Sequence, residues 1–237
     1  MIMSSCSNHN TLSIGHRGAK GYVAENTLES INKAIELGVD GIEIDIFKCL
    51  SNELVLFHDK DLDKLTGKPG QIENLTLKEL QEFLVLGKYQ IPTLKDVLIK
   101  IEKPLLVNIE LKGLDTAEAT SKIITDFSKN TSWSLENFIV SSFNWNELEQ
   151  FRSIDKNTPI GVLVSKSMSI NEAIEFGKKI DAQAIHPNYT LLDEKTVKKI
   201  KNNGFKIYTW TVNNKDDINF IKKLKVDGII SDYPDRI

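Results

Sequence analysis

The sequence predicts a TIM-type (β/α)8 barrel, and three observations carry that prediction. Short runs rich in β-branched residues alternate with stretches of helical periodicity along 237 residues. About eight such strands occur, the number that closes a parallel ring. No G-x-G-x-x-G loop follows the first strand, so an open doubly wound sheet loses its usual mark.

Each element has its own justification. Strands are expected at Leu12–Ile14, Gly41–Phe47, Leu105–Glu110, Phe138–Ser141, Ile160–Val164, Ala182–Ile185, Phe205–Trp210 and Gly228–Ser231. The second is the clearest, because Ile42, Ile44 and Ile46 alternate with Gly41, Glu43 and Asp45. Between strands, Leu28, Ile31, Ala34 and Ile35 form a helical stripe. Asn26 is expected to cap that helix, with Glu29 in the box position and Gly38 as the stop. Further stripes follow Pro92-Thr93 (Leu94, Val97, Leu98, Ile101) and run through Thr120, Ile123, Ile124 and Phe127. Shorter ones accompany Leu148, Ile174, Val197 and Ile218. The connection from His58 to Ile91 is too long for a plain barrel turn, and long connections in compact domains usually serve function. It reads as a small insertion after the second strand, at about 59–92, with a short helix near Thr76–Phe83. The rest reads as one barrel domain over 11–237, with 1–10 a frayed tail and the last outer helix short or missing.

Composition narrows the partners. Hydrophobic residues are 41% and charged residues 27%, the profile of a globular chain with a full core. A formal net charge of −3 offers no basic field for a nucleic-acid backbone. No run is long and apolar enough to span a bilayer, and the first ten residues lack a signal peptide's apolar stretch. The two cysteines, Cys6 and Cys49, read as free thiols in a reducing cytoplasm. Nothing in the sequence sets the oligomeric state.

In a parallel barrel, chemistry collects at the C-terminal ends of the strands. Here the first strand leads to His16 and Arg17, the second carries Glu43 and Asp45 with His58-Asp59 beyond, and the third carries Asn108, Glu110 and Lys112. Later ends supply Ser142, His186, Trp210, Ser231 and Asp232. Side chains two apart on a strand share a face, so Glu43 and Asp45 project together. With Glu110 from a neighbouring strand they form an all-oxygen set suited to a hard cation, Mg²⁺ or Ca²⁺. The competing reading is an ion-pair network with Arg17 or Lys112. His16 and His58 fit an acid/base pair beside such a cation. His186 fits a turn cap instead, because His-Pro follows a strand. Arg17 and Lys112 suit an anionic phosphoryl group. Trp210 suits either a pocket wall or the core, and Asn26 is explained by its cap role.

Together these residues resemble the glycerophosphodiester phosphodiesterase family. The resemblance rests on His16-Arg17-Gly18, Glu25-Asn26-Thr27, Glu43-Ile44-Asp45, His58-Asp59 and Glu110-Leu111-Lys112, in that order. Ser142-Phe143, Trp210-Thr211-Val212-Asn213 and Asp227-Gly228-Ile229-Ile230-Ser231-Asp232 extend it along the chain. It implies a TIM barrel with an insertion after the second strand and one divalent cation on Glu43, Asp45 and Glu110. It implies His16 and His58 as acid and base, and Arg17 and Lys112 on the phosphate. Ala24 and Lys20 depart from the family pattern in the loop before the first helix.

The implied reaction is hydrolysis of a glycerophosphodiester to sn-glycerol 3-phosphate and an alcohol. A lysophospholipase D on the same scaffold is the nearer alternative, and a non-enzymatic phosphodiester-binding barrel the more distant one. The former needs an apolar groove, for which Leu62, Leu65, Leu75, Leu77, Phe83 and Leu84 are available; the insertion's own core has the stronger claim on them.

Overall fold

Period-two alternation and parallel register together shape this chain. The computed structural model describes residues 10–237, so positions 1–9 of the expected tail, Cys6 among them, lie outside the described residues. Strand β1 (Leu12–His16) leads to helix α1 (Leu28–Glu36) and strand β2 (Gly41–Lys48). Strand β3 (Leu54–Leu56) then turns back antiparallel on the end of β2, pairing Ile46 with Leu56. Beyond the insertion come α4 (Leu94–Lys100), β6 (Leu106–Leu111), α5 (Ala117–Asn130) and β7 (Phe138–Ser142). The series continues with α6 (Trp145–Ile154), β8 (Ile160–Val164), α7 (Ile170–Lys179) and β9 (Ala184–Pro187). It ends with α8 (Glu194–Asn202), β10 (Lys206–Thr209), α9 (Lys215–Lys223) and β11 (Gly228–Ser231). A 3-10 turn at Pro234–Arg236 follows the last strand.

Eight parallel strands close into a ring in the order β1, β2, β6, β7, β8, β9, β10, β11, and β11 pairs again with β1. Of the nine strands in that sheet, β3 alone stands outside the ring. The ring matches the sequence expectation; β3 is additional to it, because three residues are too few to show a period.

Alternation sorts β2 into two faces. Ile42, Ile44 and Ile46 pack outward against Ala34, Leu94, Val97 and Leu98 of the helices, all wholly buried. The opposite face carries Glu43 and Asp45 into the barrel. There a smaller apolar cluster of Ile14, Ile139, Ala184, Tyr208 and Ile230 fills the lumen. At about 25 cal/mol per Å² of apolar surface removed from water, the outer layer supplies most of the fold's stabilisation.

The segment between β3 and α4 contains α2 (Asp63–Thr66), a 3-10 turn at Ile72–Asn74, α3 (Leu77–Leu80) and a hairpin of β4 (Leu84–Val85) and β5 (Tyr89–Gln90). Its Leu62, Ile72, Leu80 and Val85 join Phe47, Val55 and Phe57 in one cluster, with Leu65, Leu75, Leu77 and Phe83 packed on it. Most of the leucines that could have built an acyl groove therefore form a local core; Leu84 lies on the surface, 39% exposed.

Two expectations fail here. Thr27, not Asn26, caps α1: Thr27 has extended dihedrals and its side chain accepts from the Ser30 N–H. Asn26 sits in the left-handed region at φ 56°, which turns its side chain back toward β2. His186 does not cap a turn. Strand β9 runs two residues further than expected and places His186 inside the barrel, fully buried. Pro187 takes the final strand position, where its carbonyl still accepts from the Trp210 N–H at 3.4 Å.

His186 fits because position 161 is glycine. A Cβ there would lie 2.3 Å from His186 Nε2. Gly161→Ala is therefore expected to lower stability by about 1–3 kcal/mol, the usual cost of overpacking. Urea unfolding checks this, and an unchanged midpoint would show that the ring can move aside.

No helix among the described residues is long and apolar enough to cross a membrane. Cys49 is a free, buried thiol whose Sγ lies 3.3 Å from Glu53 Oε2.

Candidate active site

Register brings the polar residues to one level of the barrel. His16 of β1 is the register partner of Glu43 on β2, and Asp45 is the partner of Glu110 on β6. All three acids point inward, and one carboxylate oxygen from each lies within 4.8 Å of the others. Glu43 and Asp45 are 4% and 1% exposed, so their charges have little water to lean on.

The loop after β1 wraps this cluster. Arg17 and Gly18 both adopt left-handed backbone, at φ 51° and 83°. A Cβ on Gly18 would meet Ser30 backbone at 2.5 Å, so only glycine fits this turn. The turn aims the Arg17 N–H at Glu43 Oε2, 2.9 Å away. The Arg17 guanidinium bonds Glu25 Oε1 at 2.5 Å through Nη1. Its Nε lies 3.1 Å from Asp45 Oδ2, yet Nε has no aligned hydrogen-bond acceptor. We take that contact as charge attraction without a hydrogen bond. Lys20 adds a second cation on Glu25, at 3.2 Å. Asn26 donates to Asp45 Oδ2 at 2.9 Å and accepts from the Asp45 N–H at 3.2 Å. It thus holds an acid in place, a role its apparent capping pattern had hidden.

Lys112 lies on the opposite side. Its Nζ is 2.8 Å from Glu110 Oε1, 3.9 Å from Asp45 Oδ1 and 3.3 Å from His58 Nε2. The ion-pair network considered from the sequence is therefore present. It leaves two deeply buried acid oxygens, Glu43 Oε1 and Asp45 Oδ1, without a hydrogen-bond partner. Such orphans are costly in a native fold and mark unmet coordination. An all-oxygen set of this kind fits a hard divalent cation.

The two histidines share one arrangement. His16 Nδ1 lies 2.6 Å from Asp232 Oδ1, and its Nε2 faces Glu43 Oε2 at 3.9 Å. His58 Nδ1 lies 2.6 Å from Asp59 Oδ1, and its Nε2 faces Lys112. A carboxylate on Nδ1 favours the proton there and leaves the Nε2 lone pair facing Glu43 in His16 and the Lys112 ammonium in His58. Asp232 is fixed in turn by Asn213 Nδ2 at 2.8 Å. Asp232 followed the last expected strand in the sequence, but its pairing with a residue 216 positions earlier was invisible until the barrel closed.

Electrostatics follow from burial. Burial, then Asp45 and Glu110, push Glu43 well above the usual carboxylate range. Burial, then Asp45, push Glu110 up to about 7 against the pull of Lys112. Burial also works to raise Asp45, but Arg17, Lys112 and His58 outweigh it and hold that carboxyl low. Burial lowers both His16 and His58, although Asp232 and Asp45 respectively work to raise them.

Trp210 forms one wall. Its Nε1 donates to the His186 carbonyl at 2.8 Å, and its ring packs edge-on against Phe143 at 5.2 Å. Six of the eight expected site residues, His16, Arg17, Glu43, His58, Glu110 and Trp210, line a single cleft of about 100 Å³. Asp45 and Lys112, 3.9 Å apart, adjoin it through Glu43 and Glu110. Among the other strand-end candidates, Ser142 Oγ donates to the Leu111 carbonyl and Ser231 Oγ to Asn213 Oδ1. His186 is fully buried with both ring nitrogens unpaired, and burial drives its pKa down to about 3.

A closed parallel barrel whose strand ends gather acids, histidines and cations belongs to a class of enzyme folds. Comparison with known proteins narrows it. The profile of the glycerophosphoryl diester phosphodiesterase family matches residues 16–236. A glycerophosphodiester phosphodiesterase of Caldanaerobacter subterraneus subsp. tengcongensis is 33% identical over 96% of both chains. The crystal structure of a Thermotoga maritima glycerophosphodiester phosphodiesterase is 31% identical, with TM-score 0.81 over 96% of this chain and 97% of that one. An Oleispira antarctica phosphodiesterase, solved with its product sn-glycerol-3-phosphate, is 28% identical, with TM-score 0.84 over 94% of both chains. The chain belongs to the glycerophosphoryl diester phosphodiesterase family, and it is a phosphoric diester hydrolase of that family.

Proposed function

We propose that this enzyme uses one divalent cation, Mg²⁺ or Ca²⁺, to hydrolyse glycerophosphodiesters such as glycerophosphocholine or glycerophosphoethanolamine. The products are sn-glycerol 3-phosphate and the alcohol. The observation that carries this reading is the trio of Glu43, Asp45 and Glu110, with oxygens within 4.8 Å of one another, flanked by two carboxylate-oriented histidines. The Oleispira antarctica relative, solved with sn-glycerol-3-phosphate, supports the choice of product.

Glu43, Asp45 and Glu110 hold the cation, which supplies Lewis acidity toward a phosphoryl oxygen when bound. Arg17 and Lys112 stand on either side of Asp45 and grip the phosphate. Of His16 and His58, one takes the proton of the attacking hydroxyl at Nε2 and the other gives one to the leaving alkoxide. The attacking hydroxyl comes from water or from the substrate's glycerol 2-position. Asp232 and Asp59 keep both imidazoles aimed during that exchange. Trp210 and Phe143 wall the glycerol side.

The unit responsible is residues 11–237, with 59–92 as its insertion. A free thiol at Cys49 agrees with a cytoplasmic location. The lysophospholipase D alternative loses support because most of the insertion's apolar residues pack on one another.

Product analysis tests the reaction. Glycerophosphocholine is expected to yield sn-glycerol 3-phosphate and choline. Release of phosphocholine instead, or no turnover of any glycerophosphodiester with metal present, would refute the proposal.

A further inference from the structure

The loop from Arg17 to Asn26 has three attachments to the body of the barrel. Arg17 meets Glu43 at one end and Asn26 meets Asp45 at the other. Between them the Ala19 N–H donates to the Ser30 carbonyl at 3.0 Å, and the Tyr22 and Val23 N–H groups fold back onto the Ala19 carbonyl. The outer side of that fold meets the last residues of the chain. The Gly21 N–H donates to the Asp232 carbonyl at 2.9 Å. A Cβ on Gly21 would lie 2.3 Å from the Tyr233 ring, so the backbone comes this close only at a glycine. Tyr22 packs edge-on against Tyr233 with ring centroids 5.4 Å apart. Its hydroxyl donates to the Asp235 carboxylate, 2.9 Å from both oxygens.

The turn that receives the loop is itself fixed. Ser13 Oγ on β1 donates to the Pro234 carbonyl at 2.7 Å. The Arg236 guanidinium lies 3.8 Å from the Tyr233 ring centroid, and its Nη1 donates to the Asn213 carbonyl at 3.1 Å. Asp232 therefore serves two parts of the site. Its side chain orients His16, while its carbonyl and the neighbouring Tyr233 ring hold the loop that carries Arg17. Fixing a loop in advance removes the ordering cost that a ligand would otherwise meet on binding.

We propose that Tyr233 is a positioning residue for Arg17. The C-terminal turn clamps the loop after β1 and thereby sets how tightly the site takes a phosphate group. This rests on the phosphate role proposed above for Arg17. Contacts that only stabilised the fold would lower the melting temperature and leave ligand affinity alone.

The test measures KM and kcat on glycerophosphocholine, and the Kd of sn-glycerol 3-phosphate by calorimetry, with metal present. Tyr233→Ala is expected to raise KM and Kd by about five- to ten-fold, the scale of coupling between residues in one network. Its kcat should stay within about two-fold, since the His16–Asp232 pair is untouched. Tyr233→Phe should restore wild-type values, because the ring makes the contacts. Arg17→Ala is expected to weaken sn-glycerol 3-phosphate binding by about ten-fold or more, as loss of a charged donor does. In that background Tyr233→Ala should cost nothing further. Should Tyr233→Ala fail to fold, Tyr22→Phe takes its place in the same cycle, since Tyr22 is 46% exposed and loses only its bond to Asp235. Its loss should be about two-fold, the low end for a hydrogen bond, and should again vanish without Arg17. Wild-type KM and Kd in the clamp variant, or the same loss with and without Arg17, would overturn the proposal. If Arg17→Ala binds sn-glycerol 3-phosphate as the wild type does, the phosphate role of Arg17 falls and the clamp with it. If the wild type binds sn-glycerol 3-phosphate yet hydrolyses no glycerophosphodiester, the proposed reaction falls, and the Kd cycle still decides the clamp.

Discussion

Alanine at His16, or at His58, is expected to lower kcat for glycerophosphodiester hydrolysis by about 10²–10⁴-fold, the usual contribution of a positioned acid or base. KM should change little, because the proposed mechanism gives the phosphate charge to Arg17 and Lys112 and not to either ring. In the proposed mechanism the two histidines serve one reaction, so the double variant should be no worse than the product of the two losses. Asp232→Asn should reproduce part of the His16 defect, since it removes the carboxylate 2.6 Å from His16 Nδ1 and leaves the ring in place. Steady-state rates on glycerophosphocholine check all of this. Wild-type rates in both histidine variants would remove acid/base chemistry from these residues.

The second large effect concerns stability without metal. An acid whose folded pKa is raised contributes stability that is fully present below its unfolded pKa and lost as pH rises through the folded one. Glu110 is raised to about 7, by burial first and Asp45 second, and Glu43 is also raised well above its ordinary value. In excess chelator the protein should therefore lose stability as pH climbs from about 4.5 to 7 and beyond. Glu110 alone contributes a loss on the order of 3 kcal/mol, and His16 and His58, whose lowered pKa values favour the fold as pH rises toward 6.5, offset part of it. Adding Mg²⁺ or Ca²⁺ at pH 8 should restore it, because the cation replaces the protons that Glu43 and Glu110 otherwise keep. Glu110→Gln should flatten the pH slope in chelator and also reduce the gain on adding metal. Chemical denaturation across pH, with and without metal, reads both. A chelated wild type whose stability rises over this window would contradict the picture of crowded carboxylates.

Much of this centre was legible because strand alternation is a local property. Ile42, Ile44 and Ile46 on one face force Glu43 and Asp45 onto the other, and one residue of slip would turn both acids toward the helices. Closure of the barrel was legible from the number of strands. What escaped depended on geometry that sequence spacing does not encode. Asn26 and Thr27 are both good caps, and the left-handed backbone at Asn26 decided between them. Asp232 becomes the partner of His16 only when β11 returns to pair with β1. His186 looked like a turn residue because Pro187 follows it, whereas β9 ends on the proline itself. Strand β3 was too short to announce itself, yet it carries the chain back to place His58 beside Lys112.

If three buried acids and two histidines form one cation-dependent centre, ion binding and turnover must rise and fall together. The decisive experiment titrates chelated enzyme with Mg²⁺ or Ca²⁺ and measures bound ion and sn-glycerol 3-phosphate release in the same samples. Both should rise together and level off at one ion per chain, and Glu43→Gln with Asp45→Asn should lose both. Full turnover with no ion bound, or an ion bound equally well by that double variant, would contradict it.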